Sequence, residues 1–214
     1  MIAISLLETD ILDLKSEVDR AVIAGADMFY MEFGDCSFKA KAGLGAVICQ
    51  SLRDHGVTSP IAVNLNGIVT REAVLSFSKS GVNYISFEMN APNRKELICL
   101  AKSLGCRAGL RVNSVTDDLC FEAVNFLIFE NCSSSLGSGN ELIGLINSIQ
   151  ARNSHEEYDH IEIFWSGSIS DSVYKKLKSV GVDVFIAGKK DFVESDYYTL
   201  ISRLRKNDTP LQTS

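Results

Sequence analysis

The sequence of 214 residues lacks a long apolar run, an excess of basic charge and closely spaced cysteine pairs. No apolar stretch approaches the ~18 residues that are needed to cross a bilayer, and Glu8, Asp10 and Asp13 follow the first apolar segment where a signal peptide would need small residues. A net charge of −6 argues against nucleic acid or an anionic membrane as the main partner. The six cysteines contain no C-x-x-C pair, which is typical of reduced thiols. We therefore expect a cytoplasmic protein without a membrane segment.

The sequence also lacks an internal linker. Residues 132–140 are rich in serine and glycine, but we interpret them as a loop within one domain. The length suffices for one well-buried core and is short for two. We predict a single domain over residues 1–206 and a flexible tail over residues 207–214.

A regular alternation of two kinds of segment runs through the chain. The short apolar segments, which predict strands, are Ile2–Leu7, Met28–Phe33, Ile61–Leu65, Tyr84–Met89, Arg107–Val112, Phe126–Glu130, Ile161–Trp165 and Val184–Ala187. The segments of helical period are Leu12–Ala24, Leu44–His55, Arg71–Lys79, Arg94–Ser103, Thr116–Ala123, Glu141–Ala151, Asp171–Ser179 and Ser195–Arg205. Gly25, Gly81, Gly105 and Gly181 each end a predicted helix just before a strand. The pattern predicts parallel α/β units and leaves open a (β/α)₈ barrel or a doubly wound open sheet.

Polar residues stand where most of these strands end. In a barrel, function belongs at the carboxyl ends of the strands and in the loops that follow. The residues at those positions are Ser5, Tyr30, Glu32, Asn64, Asn66, Glu88, Asn90, Arg111, Asn113, Glu130, Trp165, Ser166, Gly188 and Lys189. Buried polar groups are costly unless they meet each other or a ligand. The set therefore predicts either a small-molecule site or a polar plug in the barrel mouth.

Glycine-containing loops after the last three predicted strands are candidates for phosphate binding. In barrels, a phosphate is often held by the loops after strands seven and eight. Glycine lets the backbone approach a ligand, free N–H groups bind an oxyanion, and lysine adds charge. The candidate residues are Gly137, Gly139, Gly167, Ser168, Gly188 and Lys189. The alternative is that these are ordinary turn residues.

Several blocks of the sequence follow one another in the register of a known family. The blocks are residues 2–10, 24–27, 32–38, 43–45, 62–66, 80–88, 108–113, 170–173 and 181–188. Through these blocks the sequence resembles the ribulose-phosphate 3-epimerase family over nearly its whole length. The resemblance implies a (β/α)₈ TIM barrel of the ribulose-phosphate-binding type, and it places Ser5 at the serine that contacts the substrate in that family.

The resemblance also implies a metal-assisted reaction, in which two acids on opposite faces of the substrate move the proton at C3. In the family, both acids and two histidines bind a divalent metal. Tyr30, Glu32 and Asn64 replace the first histidine, the first aspartate and the second histidine. The second aspartate falls at Trp165, or at Phe164 if the loop is aligned one residue tighter. Because few metal ligands remain, we expect no metal and no other cofactor.

Glu32 is the acid that remains, and it is the candidate catalytic residue. A single base exchanges a proton on one face of a substrate but does not invert the centre. The alternative is a structural acid that is hydrogen-bonded to Tyr30 or Asn64. A second acid could come from another strand, at Asp35, Glu88 or Glu130, and the alternative for these three is a salt bridge or a solvated loop. The candidate substrate contacts are Ser5, Tyr30, Asn64, Asn66 and Trp165.

The predicted function is that of a ribulose-phosphate 3-epimerase-like protein, of the isomerase class, that binds a phosphorylated sugar at the carboxyl mouth of the barrel. Its epimerase chemistry is in doubt because the metal ligands and the second acid are replaced. The alternative is a catalytically silent barrel that binds a sugar phosphate or another protein. A third hypothesis is another phosphate-barrel activity, such as a decarboxylase or an indole-pathway isomerase. The sequence predicts no nucleic-acid or membrane partner and is compatible with a homo-oligomer.

Overall fold

The predicted strands form one closed parallel barrel in the computed structural model, which describes residues 1–34, 39–112, 124–130, 139–155, 159–192 and 196–207. The strands are β1 (Ile2–Ser5), β2 (Met28–Phe33), β3 (Ile61–Leu65), β4 (Tyr84–Glu88), β5 (Arg107–Val112), β6 (Phe126–Glu130), β7 (Glu162–Ser166) and β8 (Val184–Ala187). Each strand pairs with the next, and β1 pairs in parallel with β8, with Ala3 opposite Ile186. The (β/α)₈ barrel is therefore confirmed, and the open sheet is excluded because the pairing closes.

The helices of the described part of the chain alternate with the strands. They are α1 (Leu14–Ile23), α2 (Lys39–Asp54), α3 (Arg71–Lys79), α4 (Arg94–Ser103), α5 (Gly139–Asn153), α6 (Asp171–Ser179) and α7 (Tyr197–Lys206). The bounds of α3, α4 and α6 agree with the prediction, whereas α2 begins five residues before the predicted Leu44 because its first turns carry few large apolar residues. The predicted helix at 116–123 and the tail from residue 208 lie outside the described residues. Within the described chain, no helix combines the length and apolar character that a membrane span requires.

Strand alternation sorts the buried apolar side chains into two layers. A smaller cluster fills the barrel interior and comprises Ala3, Met28, Tyr30, Ala62, Tyr84, Phe126, Ile128, Phe164, Val184 and Ile186. The intervening strand residues, such as Phe29, Met31 and Phe185, join a larger cluster with the buried faces of the helices. Successive side chains of a strand point to opposite faces, so membership of a cluster shows which way a strand residue points.

The predicted helix-to-strand turns are confirmed. Gly25, Gly81, Gly105 and Gly181 all have positive φ, from +80° at Gly81 to +97° at Gly181. In three of these turns, the residue two positions after the glycine accepts a hydrogen bond from the backbone of the preceding strand. The pairs are Ile2 N–H with Asp27 (2.7 Å), Ile61 N–H with Asn83 (2.9 Å) and Ile163 N–H with Asp183 (2.8 Å). The same residues thus end a helix and anchor the beginning of a neighbouring strand.

Two strand ends differ from the prediction in a way that affects the mouth of the barrel. Strand β1 ends at Ser5, and Leu6–Glu8 form a single 3₁₀ turn that carries Glu8 back towards the last loop. Strand β7 runs one residue later than predicted and ends at Ser166. Because direction alternates along a strand, this end of β7 presents Phe164 to the interior.

Candidate functional site

Polar side chains of five adjacent strands lie on the inner face of the barrel at its carboxyl end. In the parallel register, Glu32 of β2 is opposite Asn64 of β3, and Glu88 of β4 is opposite Arg111 of β5. Glu130 of β6 follows in the same ring, because its side chain contacts Arg111. Residues opposite each other in parallel strands share a face of the sheet. The barrel therefore brings together side chains that are up to 98 positions apart in the chain, from Glu32 to Glu130.

Arg111 lies at the centre of this ring and pairs with carboxylates from three strands. One terminal nitrogen of its guanidinium, Nη1, donates to Glu32 and lies 3.6 Å from Glu88 Oε1. The other, Nη2, donates to Glu130. The Arg111 side chain is only 11% exposed. A fixed guanidinium thus holds three acids in defined orientations at the mouth.

The charge of Arg111 is maintained by its neighbours. Burial by itself lowers the pKa of the guanidinium, but the hydrogen bonds to Glu130 and Glu32 and the charge of Glu32 more than offset this effect. The pKa of Arg111 is therefore raised above its ordinary value. The residue is a permanent cation inside the site.

Amide side chains extend the ring on the side of β3. Asn66 donates from Nδ2 to Glu32 Oε1 over 2.5 Å and accepts from Asn64. Asn64 Nδ2 also lies 3.3 Å from Glu88 Oε1, and Ser86 Oγ donates to Asn64 Oδ1 over 2.8 Å. Asn64 is fully buried. Glu32 thus accepts hydrogen bonds from Arg111 and Asn66, rather than from the Tyr30 or Asn64 that the sequence suggested.

Tyr30 lies one layer deeper in the barrel than Glu32. It is 3% exposed and packs in the interior cluster with residues such as Phe164 and Ile186. Burial raises the pKa of its phenol well above the ordinary value, and the charge of Glu32 raises it further. Tyr30 is therefore a neutral side chain at the floor of the mouth.

The loop after β8, a predicted phosphate-binding segment, has its amides bound to carboxylates of the chain itself. Asp191 accepts from Gly188 N–H over 2.9 Å and from Ile169 N–H over 2.8 Å. Glu8 accepts from Lys189 N–H over 2.9 Å. Burial raises the pKa of the Asp191 carboxyl, while its two backbone hydrogen bonds act in the opposite direction. The backbone N–H groups are arranged to bind an anion, and carboxylates of the chain itself accept their hydrogen bonds.

Ser5, the predicted substrate contact of β1, belongs to the same group. Its hydroxyl donates to Glu8 Oε1 over 3.3 Å, and its side chain is nearly buried. Glu8 therefore links the end of β1 to the loop after β8. Gly167 and Ser168 lie in the neighbouring loop after β7, where Ser168 is exposed. Their role in binding phosphate stays a prediction.

Trp165 does not point into the mouth. It belongs to the outer cluster with the helices and lies opposite Phe185, which is another outer residue, while its neighbour Phe164 is in the interior. Its position does not support the predicted contact with a substrate. The physical reason is the register of β7, which directs alternate side chains outward. Among the described residues, the Trp165 indole nitrogen has no hydrogen-bond partner.

Other predicted residues are placed only in part. Gly139 is the first residue of α5. Gly137, Asp35 and Asn113, which the sequence places near the mouth, lie outside the described residues.

The residues at the mouth do not fit the divalent metal that the family resemblance implies. Across the described ranges, no group of three histidine, cysteine, aspartate or glutamate side chains could hold a metal ion. Among the aligned ligand positions Glu32 is the only carboxylate, and it is ion-paired with Arg111. Histidine is a strong metal ligand, but His55 lies away from the mouth and pairs with Asp19 near the surface.

Sequence reasoning missed the importance of two residues. Arg111 was one of many polar residues at strand ends, and its central position depends on the barrel register. The sequence signal nearest to it is Gly109, two positions earlier on the same face of β5, because a glycine inside a strand indicates a close approach. Only the structure shows that this face is the interior, where a side chain at Gly109 would meet Phe126. The sequence identified Glu8 only as an acidic residue that follows the first strand. Its contact with Lys189, 181 positions away, has no signal in the local sequence.

Comparison with known proteins agrees with the sequence motifs. Residues 1–192 match the model of the Ribulose-phosphate 3 epimerase family. Similar relatives include the ribulose-phosphate 3-epimerase of Serratia marcescens, 26% identical over 204 residues that cover 92% of this chain and 97% of the relative. The enzyme of Escherichia coli is 25% identical over 213 residues, which cover 96% and 94%. A relative from rice, Oryza sativa, named as the cytoplasmic isoform, is 27% identical over 217 residues, which cover 96% and 93%.

Solved structures resemble this barrel over nearly its full length. The 3-keto-L-gulonate-6-phosphate decarboxylase of Vibrio cholerae superposes with a TM-score of 0.73 at 15% identity, over 97% of this chain and 96% of that one. The 3-hexulose-6-phosphate synthase of Salmonella typhimurium superposes with a TM-score of 0.65 at 16% identity, over 96% and 97%. At these identities the likeness shows the fold alone.

Proposed function

We propose that this chain, which belongs to the ribulose-phosphate 3-epimerase family, binds a phosphorylated sugar at the carboxyl mouth of its barrel without a divalent metal. The observation that carries the proposal is the guanidinium of Arg111, which is ion-paired with acids of three strands, among them Glu32 at a metal-ligand position that the family resemblance implies. The guanidinium of Arg111 thus takes the place of a bound metal ion in orienting the acids.

The guanidinium and a divalent metal at the family's position would compete for the carboxylate of Glu32. Two unit positive charges ~4 Å apart repel by about 4 kcal/mol at the effective dielectric typical of protein surfaces, and a divalent ion doubles that cost. Glu32 would have to leave Arg111 in order to bind the metal. The mouth therefore favours the arginine and disfavours the ion.

The chemistry of the mouth suits a polyhydroxylated ligand. Glu32, Glu88, Glu130 and Asn66 offer oxygen acceptors to sugar hydroxyls, and Arg111 holds the acids in place. Lys189, exposed in the loop after β8, provides positive charge at the rim for a phosphate group. The names of the relatives and of the similar structures include ribulose phosphate and other sugar phosphates, which supports this ligand class.

The end of β7 argues against inversion at C3 by two acids. An acid opposite Glu32 is required to return the proton on the other face of the substrate. At the family's position for that acid, β7 presents Phe164 to the interior and then ends at Ser166, neither of which is a carboxylic acid. The other acids of the mouth, Glu88 and Glu130, are held on the same guanidinium as Glu32. We therefore propose that the chain binds the sugar phosphate and does not epimerise it.

A second candidate function is proton exchange on one face of the substrate by Glu32. The Glu32 side chain is 38% exposed, the most accessible carboxylate of the Arg111 cluster. A base in that position could reach a ligand without disturbing the barrel. It would exchange the C3 proton with solvent and leave the configuration unchanged.

Incubation with ribulose 5-phosphate in D₂O tests both candidates. The C3 proton is followed by NMR with and without added Mg²⁺ or Zn²⁺, for the natural chain and for Glu32→Gln. We expect ribulose 5-phosphate to raise the thermal unfolding temperature without forming the C3 epimer. Exchange that is lost in Glu32→Gln would establish the second candidate. Formation of the epimer, or its appearance on addition of metal, would contradict the proposal.

Location and self-association belong to the same proposal. The rice relative is named as a cytoplasmic isoform, which agrees with the location expected from the cysteine pattern. Fractionation of cells that express the tagged chain would test the location, and sedimentation of the purified chain would test for a homo-oligomer.

A further inference from the structure

We infer that Glu8 is a built-in competitor of the ligand's phosphate group, and that it limits the affinity of this barrel for phosphorylated sugars. The inference rests on the proposed function, because it concerns the same mouth. It adds a residue that governs which ligands the mouth accepts, at a position where the sequence suggested no role.

Glu8 holds two donors that were independently assigned to the ligand. Ser5, the predicted sugar contact, donates its hydroxyl to Glu8 Oε1 over 3.3 Å. Lys189, a predicted phosphate contact, donates its backbone N–H to Glu8 Oε2 over 2.9 Å. The carboxylate of Glu8 thus bridges the end of β1 and the loop after β8. A ligand that uses these donors must first displace it.

The carboxylate lies against the backbone at a glycine. A Cβ atom added to Gly188 would stand 2.5 Å from Glu8 Oε2 and 2.9 Å from the carboxyl carbon. A larger residue at Gly188 would require the Glu8 carboxylate to move away. A close approach of an anion to bare backbone is the environment that phosphate-binding loops provide, and here a side chain of the protein occupies it.

Glu8 is the acid of this loop that can move away. Asp191 is half-buried and accepts two backbone hydrogen bonds, from Gly188 and from Ile169, so it is part of the loop's structure. Glu8 is exposed, is the last residue of a single 3₁₀ turn and accepts only one backbone hydrogen bond among the described contacts. An arriving phosphate would replace Glu8, while Asp191 would remain.

The charge of Glu8 sets the direction of its effect. A phosphate brings about two negative charges to a loop that already carries two carboxylates. Repulsion from Glu8 weakens binding for as long as its side chain stays nearby, and displacement also costs its hydrogen bonds to Ser5 and Lys189. Glu8 therefore lowers the affinity for a phosphorylated ligand more than the affinity for an uncharged sugar.

Calorimetric titration of three variants tests the inference. Glu8→Ala removes the competitor, and Glu8→Gln removes its charge but keeps an acceptor. Asp10→Asn is the matched control, because it removes one charge from the same segment while its side chain can still accept from Leu12 N–H. Each is titrated with ribulose 5-phosphate, inorganic phosphate and ribulose. We expect Glu8→Ala to bind both phosphates about tenfold more tightly, with a smaller gain for Glu8→Gln and none for Asp10→Asn.

The outcomes separate this inference from the proposed function. If Glu8→Ala binds ribulose 5-phosphate with the affinity of the natural chain or less, while remaining folded by thermal unfolding, the inference is wrong and the proposed function stands. If Glu8→Ala gains affinity for inorganic phosphate but no form binds ribulose 5-phosphate, Glu8 is a competitor and the proposed ligand is wrong. If no form binds any phosphate, both are wrong. An equal gain in Asp10→Asn would attribute the effect to general charge and overturn the role of Glu8.

Discussion

At the scale of single residues, the mouth of the barrel depends on how each charge finds a partner. Arg111 connects Glu32, Glu88 and Glu130, which come from strands that are distant in the sequence. A buried ion pair contributes little by comparison with apolar packing, but breaking it is costly because a charge is left without its partner. The residue that organises the site is therefore also one that the fold requires.

Replacing Arg111 with methionine should lower the free energy of unfolding by about 3 kcal/mol, since three carboxylates would lose their common cation. Urea denaturation followed by circular dichroism measures the change. Arg111→Lys is the control, because it keeps the charge but cannot hold two carboxylates with separate nitrogens, and it should lose less. Full stability of Arg111→Met would show that the pairs do not constrain the acids.

Replacing Trp165 with alanine should reduce stability and leave ligand affinity unchanged. The side chain packs in the outer layer, so its loss creates a cavity that costs about 3 kcal/mol. Thermal unfolding measures the first effect, and calorimetry with ribulose 5-phosphate measures the second at a temperature where the variant is folded. A large loss of affinity with little loss of stability would return Trp165 to the ligand site.

At the scale of elements, the helix-to-strand turns carry two functions in a few residues. The glycine ends a helix with positive φ, and the aspartate or asparagine that follows binds the backbone at the beginning of the preceding strand. The turn after α4 departs from this pattern, because Arg107 stands at the corresponding position and pairs with Glu162 of β7. The residue before β6 keeps the pattern, because the side chain of Asn125 accepts from Ala108 N–H of the preceding strand β5 over 3.0 Å. The amino end of the barrel is thus closed by polar contacts that serve stability.

Asp183→Ala should lower the free energy of unfolding by about 1–2 kcal/mol, because it leaves the N–H of Ile163 without its 2.8 Å acceptor. Denaturation in urea is the measurement. Asp183→Asn keeps an oxygen acceptor and should retain most of the stability. Equal losses in the two variants would mean that the charge of Asp183 matters and the hydrogen bond does not.

At the scale of the whole molecule, the barrel interior and the layer between barrel and helices bury phenols that remain neutral while the chain is folded. Burial is the main cause that raises the pKa of Tyr30 and of Tyr197 above their ordinary value of 10.0. Tyr197 also donates its hydroxyl to the buried Glu17, which joins α7 to α1. Below pH 10 these phenols are protonated in both states. Above it, the unfolded chain releases protons that the folded chain retains, so stability falls as pH rises.

Tyr30→Phe should weaken this alkaline sensitivity. Between about pH 9 and about pH 11 the free energy of unfolding of the natural chain should fall, with each retained proton contributing up to ~1.4 kcal/mol per pH unit. Removing the Tyr30 phenol should make the slope above pH 10 shallower by up to that amount. Tyr198→Phe is the control, because Tyr198 is exposed. Identical slopes in all three chains would show that Tyr30 titrates normally when folded.

The local pattern of the sequence determined much of the architecture. The bounds of β2, β3, β5, β6 and β8, and of α3, α4 and α6, follow from apolar segments and helical periods that need no distant partner. The glycines of the helix-to-strand turns could be predicted for the same reason, since positive φ is a property of one residue. The family resemblance then favoured a closed barrel over an open sheet.

Only the tertiary structure decided which side chains meet. Trp165 points outward because the register of β7 directs its neighbour Phe164 into the interior, and a local pattern does not set a register to one residue. Arg111 became the centre of the mouth because the barrel closes around it, and Glu8 met Lys189 because β1 and β8 pair although they lie at opposite ends of the chain. The partner of a charged side chain and the direction in which a side chain points depend on residues that are neighbours in space. The sequence by itself therefore determined the barrel, and the closure of the barrel decided the chemistry of its mouth.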